Sequence, residues 1–578
     1  MDFKFEMSLA ELKKRTGKRY YKPVKFLKRD SREVKKLTKN DMLVLMHLTR
    51  AANKLETVNL KLGHHKNLEF LDFLNREIEK QNPKAVLAKQ LFLSQKSMFS
   101  PDTLGNQTKL VKNIEEPDGL GYFPEDLSAE EFHLILERMV DEGKTKEVQE
   151  ILNQRSVVVR DGENLKAIDF VNYFPEFQEM ADELDKAREY STDRKFNKYL
   201  ELQAKALRTA DPMLDAKADK QWATMSGGKF EFTIARECYD EKLTKTVYEN
   251  EELMKKLKAA GITVYAKDSL GARVGIVNKR GTKLLKKLKS LIDVSSKLMP
   301  YLDEYETLSH GEDEISQTAV DVDLITLTGE EGAYRASLVL AQNLPNDDKP
   351  ALKIGGGRRN VYHRQVRLNS NKKLYKNLID DEQFKYFNPE ADHWAVICHE
   401  NTHSLGPQTH SGLGKFSFII EEYKADMGMY CFLREFVKEG YFTETQAKQI
   451  IVTSLSYGFL KGKPNLNQAH RTRSVMICQR MISTGAIVIK NGKLWFDFDK
   501  VIDTAKEMMR EAIRLQLDAN VKAAEEYIMK WFVWDDNLIQ IAETIKKFSK
   551  KLNGYLIQEL ADEMLKDGFE NTLDGFKD

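Results

Sequence analysis

His399-Glu400-Asn401-Thr402-His403 sets two imidazoles four residues apart with a carboxylate beside the first, and Glu422 follows nineteen residues after His403 within Glu421-Glu422-Tyr423-Lys424-Ala425-Asp426. On a helix, His399 and His403 stack on one face and can share one ion. Glu400 is turned about 100° from His399, beside the metal rather than on it, which suits a general base. Two histidines leave a tetrahedral zinc short of a third protein ligand, with the fourth position open to water. Glu422 is the expected third ligand, and Asp426, four residues on, is expected to accept the free ring N–H of a metal-bound histidine. Glu421 is either a solvated carboxylate or a supporting one. This set suits peptide hydrolysis: zinc polarises the carbonyl and acidifies water, while Glu400 takes the proton and delivers it to the departing amine. The plainer reading, two histidines on a buried helix without an ion, leaves the downstream Glu-x-x-x-Asp unexplained.

Local signals bracket the elements that must carry these groups. Asn388-Pro389-Glu390 supplies a cap, a first-turn proline and an early acid, and Leu405-Gly406-Pro407 supplies a stop. Trp394, Ile397 and Cys398 can face a core from that helix. Residues 407–415 read as a loop, and a second helix is expected from Phe416 to Gly440. Elsewhere, a helical pattern over Leu127 to Asn153 precedes an extended Ser156-Val157-Val158-Val159-Arg160 and a turn at Asp161-Gly162. Ala336 to Ala341 reads as a strand. Residues 370–570 are mostly helical by period and nearly free of proline. Gly355-Gly356-Gly357-Arg358 lacks a following Gly-Lys-Ser/Thr, so a tight turn is expected there rather than a phosphate loop.

Composition narrows the class. The chain has 578 residues, 41% hydrophobic and 31% charged, with a net charge of +2; this is a globular composition with room for two or more domains and no general polyanion partner. Twelve Lys or Arg lie between Lys13 and Lys36 against Asp30 and Glu33. Without base-stacking motifs that strip reads as a solvated arm or helix face, so no nucleic-acid partner is expected. No apolar run reaches membrane-spanning length, and Met1 to Ala10, with Asp2, Lys4 and Glu6, does not read as a signal peptide. Cys238, Cys398, Cys431 and Cys478 show no metal-type pairing. Free thiols and a cytoplasmic location are the expectation.

Glu-Glu-x-x-Ala-Asp after a zinc-type His-Glu helix resembles the dipeptidyl peptidase III family of zinc exopeptidases, in the shorter His-Glu-x-x-His form of bacterial relatives. The resemblance extends over residues 120–480. Glu237-Cys238-Tyr239 is similar to the family's Glu-x-Tyr, which implies that Tyr239 steadies the tetrahedral intermediate and Glu237 helps hold the substrate ammonium. Asn343-Leu344-Pro345-Asn346 resembles the Asn-x-Pro-Asn that binds the substrate backbone and N-terminus, and Arg359-Asn360-Val361 continues it. Ala266 to Arg273 resembles a stretch that is structural in the family. Ala469-His470-Arg471-Thr472-Arg473 resembles the segment that faces the zinc, which implies His470 as a catalytic donor and Arg473 as a substrate contact.

The resemblance implies a predominantly helical α+β fold: a helical zinc lobe and a mixed lobe with a small β-barrel, facing each other across a peptide cleft. The expected division is 1–255 mixed lobe, 256–330 helical zinc lobe, 331–370 returning to the mixed lobe, and 371–578 the main zinc lobe. It also implies one zinc ion per chain, short peptides as substrates and release of N-terminal dipeptides. Two other readings stay open on the residues alone. One is a gluzincin aminopeptidase or endopeptidase. The other is a non-catalytic peptide-binding protein with a zinc site, against which Glu400 argues.

Overall fold

The computed structural model describes residues 3–17, 21–101, 107–225, 227–238, 241–283, 290–305, 317–328, 341–344, 358–364, 372–407, 412–466, 468–548 and 553–578. The chain divides into two compact units, Met1–Asn278 with Ile315–Val366 and Lys551–Asp578, and Lys279–Glu314 with Arg367–Lys550. It is a predominantly helical α+β protein.

The first unit is organised around one mixed sheet. Its strands are β1 (Phe230–Cys238), β2 (Asp268–Val277), β3 (Gln317–Thr328), β4 (Ala341–Leu344) and β5 (Arg358–His363), in the order β1-β2-β3-β5-β4. All neighbouring pairs are antiparallel except β3 with β5. Every residue of β2 is buried. Gly275 marks a bulge against β3; a Cβ there would meet Val322 at 2.4 Å and the Asp323 carbonyl at 2.7 Å, so only glycine permits that approach. On β1, Phe230, Phe232 and Ile234 join the core while Glu231, on the other face, pairs with Arg359 of β5 at 2.7 Å and accepts from the Trp222 indole. A long helix, Lys39–Gly63, packs on the sheet and on the helix Glu176–Tyr190. A Thr38/Asp41 capping box starts it.

Several expectations are corrected here. The described strands show no closing pair between β1 and β4, so the small barrel is not found among the described residues. The unit boundaries also differ from the expected ones. Asp268–Val277 and Gln317–Thr328 are sheet strands of the first unit, and Asn553–Ile557 returns to it by pairing in parallel with Tyr21–Lys25. The helical stretch from Leu127 to Asn153 is two helices, Ala129–Asp141 and Thr145–Ile151, separated at Gly143 with φ +77°. The hairpin that follows, Ser156–Asp161 against Asn164–Asp169, turns at Gly162 as expected. Tyr239, Asn346, the glycine turn at 355–357 and residues 336–340 of the expected strand lie outside the described residues.

The second unit is mostly helical and includes a hairpin, Ile487–Lys490 against Lys493–Phe496. Four helices position the candidate site: α1 (Pro389–His403), α2 (Ser417–Met427), α3 (Ala469–Ser483) and α4 (Phe498–Asp518). The helix expected from Phe416 to Gly440 is broken, with α2 ending before Gly428 and a short helix, Leu433–Lys438, following. Among the described residues no helix is long and apolar enough to cross a membrane.

Candidate metal centre

Helix α1 begins as its residues dictate. The Asn388 side chain accepts from the Glu390 amide at 3.0 Å, Pro389 occupies the first turn, and Glu390 and Asp392 face the positive helix end. Ala391, Trp394, Ala395, Ile397 and Cys398 are buried, which seats the helix and leaves His399 and His403 on a shared face. Helix α2 crosses close by. A Cβ on Gly428 would meet Thr402 Oγ1 at 1.8 Å, so this glycine lets the end of α2 press against the last turn of α1. That packing brings the two halves of the site together.

The two Nε2 atoms of His399 and His403 lie 3.1 Å apart. Glu422 closes the triangle, with Oε2 3.5 Å from His399 Nε2 and Oε1 3.8 Å from His403 Nε2. Behind each imidazole stands a carboxylate: Asp426 Oδ1 is 2.8 Å from His399 Nδ1, and Glu421 Oε1 is 2.9 Å from His403 Nδ1. With each Nδ1–H donated to a carboxylate, both Nε2 lone pairs face Glu422. Asp426 is tied to Arg473 by an ion pair, and Glu421 to Lys424 at 2.9 Å.

Electrostatics follows from this burial. Burial, and next the nearby His403, hold the His399 imidazole well below its usual value, so it is neutral. Burial also opposes charge on His403, but the hydrogen bond to Glu421 and the carboxylates of Glu422, Glu421 and Glu400 outweigh it and raise that imidazole. For Glu422 burial acts to raise the carboxyl, yet His470, His403 and Arg473 outweigh it and keep it ionised.

The arrangement fits a metal ion. His399, His403 and Glu422 each offer one ligand atom, all within 4.8 Å of one another. At Zn–N distances of about 2.0–2.1 Å a tetrahedral ion separates two nitrogens by roughly 3.3–3.4 Å, close to the spacing here. Glu422 Oε2 is buried and meets no donor in hydrogen-bond geometry; its nearest basic groups are His470 Nδ1 at 3.2 Å and Arg473 Nε at 3.4 Å. Two imidazoles and a carboxylate are a hydrolytic donor set, and a structural zinc would more commonly use thiolates.

Glu400 is half-buried on α1, its charge felt at both His403 and Arg473. His470 and Arg473 come from the first turns of α3. The His470 side chain is 62% exposed and Arg473 only 11%, so Arg473 is engaged by Asp426 and Glu422 rather than held out to solvent. Of the residues expected to bind substrate, Glu237 lies on β1 opposite Ser269 and Asn343 on β4 opposite Asn360, both in the first unit. Lys424 and Gln516, which hold Glu421, were not anticipated. Lys424 was visible three residues after Glu421, but nothing in the sequence pointed to Gln516.

No family model matches the sequence, and no curated protein matches it. Solved structures do match the fold. The structure of DPP III from Caldithrix abyssi superposes with a TM-score of 0.75 at 22% identity, over 94% of this chain and 98% of that one. The structure of dipeptidyl-peptidase III from Corallococcus sp. strain EGB gives 0.76 at 19% identity, over 98% and 99%. Fold and site together define an α+β protein with a candidate His-His-Glu metal centre. Its fold is that of the bacterial dipeptidyl peptidase III structures, as the motifs led one to expect.

Proposed function

We propose that this protein is a zinc-dependent metallopeptidase that releases dipeptides from the N-termini of short peptides. The observation that carries the reading is the convergence of His399 Nε2, His403 Nε2 and the Glu422 carboxylate, with each imidazole backed by its own carboxylate. The likeness of fold to two dipeptidyl peptidase III structures supports the specificity. Zinc held by these three residues would supply a Lewis acid and lower the pKa of water to about 7. Glu400 accepts the proton as water attacks the peptide carbonyl and passes it to the departing amine. Tyr239 and His470 donate to the developing oxyanion. Glu237, Asn343 and Asn346 bind the substrate ammonium and fix where the chain is cut, two residues in. We place this activity in the cytoplasm, where the buried thiols of Cys398, Cys431 and Cys478 stay reduced.

The test is hydrolysis of dipeptidyl arylamides by zinc-loaded protein, with Glu400→Gln and an N-acetylated substrate run alongside. Dipeptide release lost in both arms is the expected result. Release of single residues, or cleavage of the blocked substrate, would assign another gluzincin specificity. Zinc binding without turnover would leave a peptide-binding protein.

A further inference from the structure

The two imidazoles are not held alike. His399 sits one turn inside α1, where the helix backbone fixes its direction, whereas His403 is the last residue of the helix. Beyond it the chain turns away through Ser404, Leu405 and Gly406, and Lys424 of α2 holds this exit. Its Nζ donates to the Leu405 carbonyl at 2.7 Å and lies 2.9 Å from Glu421 Oε1, the same oxygen that is 2.9 Å from His403 Nδ1. Gln516, from α4, donates to the other Glu421 oxygen at 2.7 Å. Lys424 is 1% exposed. Gly406, at φ +90°, lies against its stem: a Cβ there would come within 3.4 Å of Lys424 Cδ and 2.8 Å of Ile513 Cδ1. Glycine thus leaves room for the lysine to reach the helix exit.

We propose that Lys424 is a positioning residue of the metal centre. One buried ammonium ties the Glu421 carboxylate to the exit of α1, and so aims His403 Nε2 at the point shared with His399 and Glu422; Gln516 is a second tether on the same carboxylate. Without the lysine, Glu421 would be a buried charge with fewer partners and a freer side chain, and His403 would have to be ordered when the metal binds. Groups that orient a metal-bound histidine in this way typically change metal affinity by about 10–100-fold. The inference rests on the metal site proposed above and is independent of the peptidase reading.

The experiment is a zinc affinity measurement by chelator competition on the full chain, with the visible absorption of the Co2+-loaded protein as a spectroscopic check, for wild type, Lys424→Met, Glu421→Gln and the double variant. The expected result is a 10–100-fold weaker zinc affinity and a changed Co2+ spectrum in Lys424→Met, with little further loss when Lys424→Met is added to Glu421→Gln. Wild-type affinity in Lys424→Met, or losses that simply add in the double variant, would overturn the proposal. Absence of zinc binding by the wild type would overturn the metal site itself, a result distinguishable from the first. If Lys424→Met does not fold, Gln516→Leu, which keeps both charges, carries the test: a several-fold loss is expected, and unchanged affinity and spectrum overturn the proposal.

Discussion

Asp426 Oδ1 lies 2.8 Å from His399 Nδ1, while the other oxygen of the same carboxylate is ion-paired with Arg473. One carboxylate on α2 therefore fixes the tautomer of a histidine on α1 and is itself oriented from α3. Asp426→Asn keeps the shape but removes the charge and lets the amide present an N–H to Nδ1. A zinc affinity about 10–100-fold weaker is expected, measured by chelator competition. An unchanged constant would mean that α1 alone orients His399.

His470 stands at the open side of the site, with Nδ1 between Arg473 Nη2 at 3.3 Å and Glu422 Oε2 at 3.2 Å. Nε2 is the ring nitrogen left to meet a substrate. If it donates to the oxyanion, His470→Ala should lower kcat by about 10²–10³ and weaken zinc affinity by a smaller factor, because His470 is not one of the three candidate ligands and acts on the ion only through Glu422. Steady-state kinetics on a dipeptidyl arylamide beside a zinc titration separates the two. A large loss of zinc with kcat per bound ion intact would assign His470 to holding Glu422 instead.

How far these relationships could be read from the chain depends on how local they are. Both ends of α1 were legible because Asn388-Pro389-Glu390 and Leu405-Gly406-Pro407 act within a turn of the helix they delimit. The shared face of His399 and His403 was legible because four-residue spacing on a helix is itself geometry. The break in α2 was not, since Gly428 answers to Thr402, a neighbour only in the folded state. Gln516, 95 residues from Glu421, and the parallel return of Asn553–Ile557 to Tyr21–Lys25 are long-range in the same sense. One local signal went unread: Asn491-Gly492, both at positive φ, joins the hairpin strands Ile487–Lys490 and Lys493–Phe496 as a two-residue turn should.

The close approach at Gly428 has a stability consequence. Gly428→Ala places a Cβ 1.8 Å from Thr402 Oγ1 and 2.7 Å from Thr402 Cβ, and Thr402 is buried with its hydroxyl donating to the Cys398 carbonyl at 2.7 Å. Neither atom is the free end of a flexible chain, so α1 and α2 must separate. A loss of about 1–3 kcal/mol is expected, read from urea unfolding of the metal-free protein. Thr402→Ala in the same chain should recover part of it by removing Oγ1. Equal stability of Gly428→Ala and wild type would show that the helices part without cost.

A buried lysine in the first unit makes a prediction of opposite character. Lys267 is 1% exposed and donates to the carbonyls of Ile151 and Asn153 and to Ser156 Oγ, at 2.8–2.9 Å. Burial pulls its ammonium down from 10.5 to about 7, with Glu241 and Asp268 opposing. Below about pH 7 the folded and unfolded chains are both protonated at this site. Between about 7 and 10.5 the unfolded chain holds a proton that the folded chain has released, so stability rises with pH across that window. The contribution is complete above 10.5 and is lost as pH falls to about 7. Lys267→Met removes it, so wild type should gain on the variant, by a few kcal/mol at most, as pH rises from 7.5 to 9.5. Urea midpoints of the two proteins at both values measure the difference. Parallel pH dependence would mean that Lys267 stays charged inside the fold, held by its three oxygen acceptors.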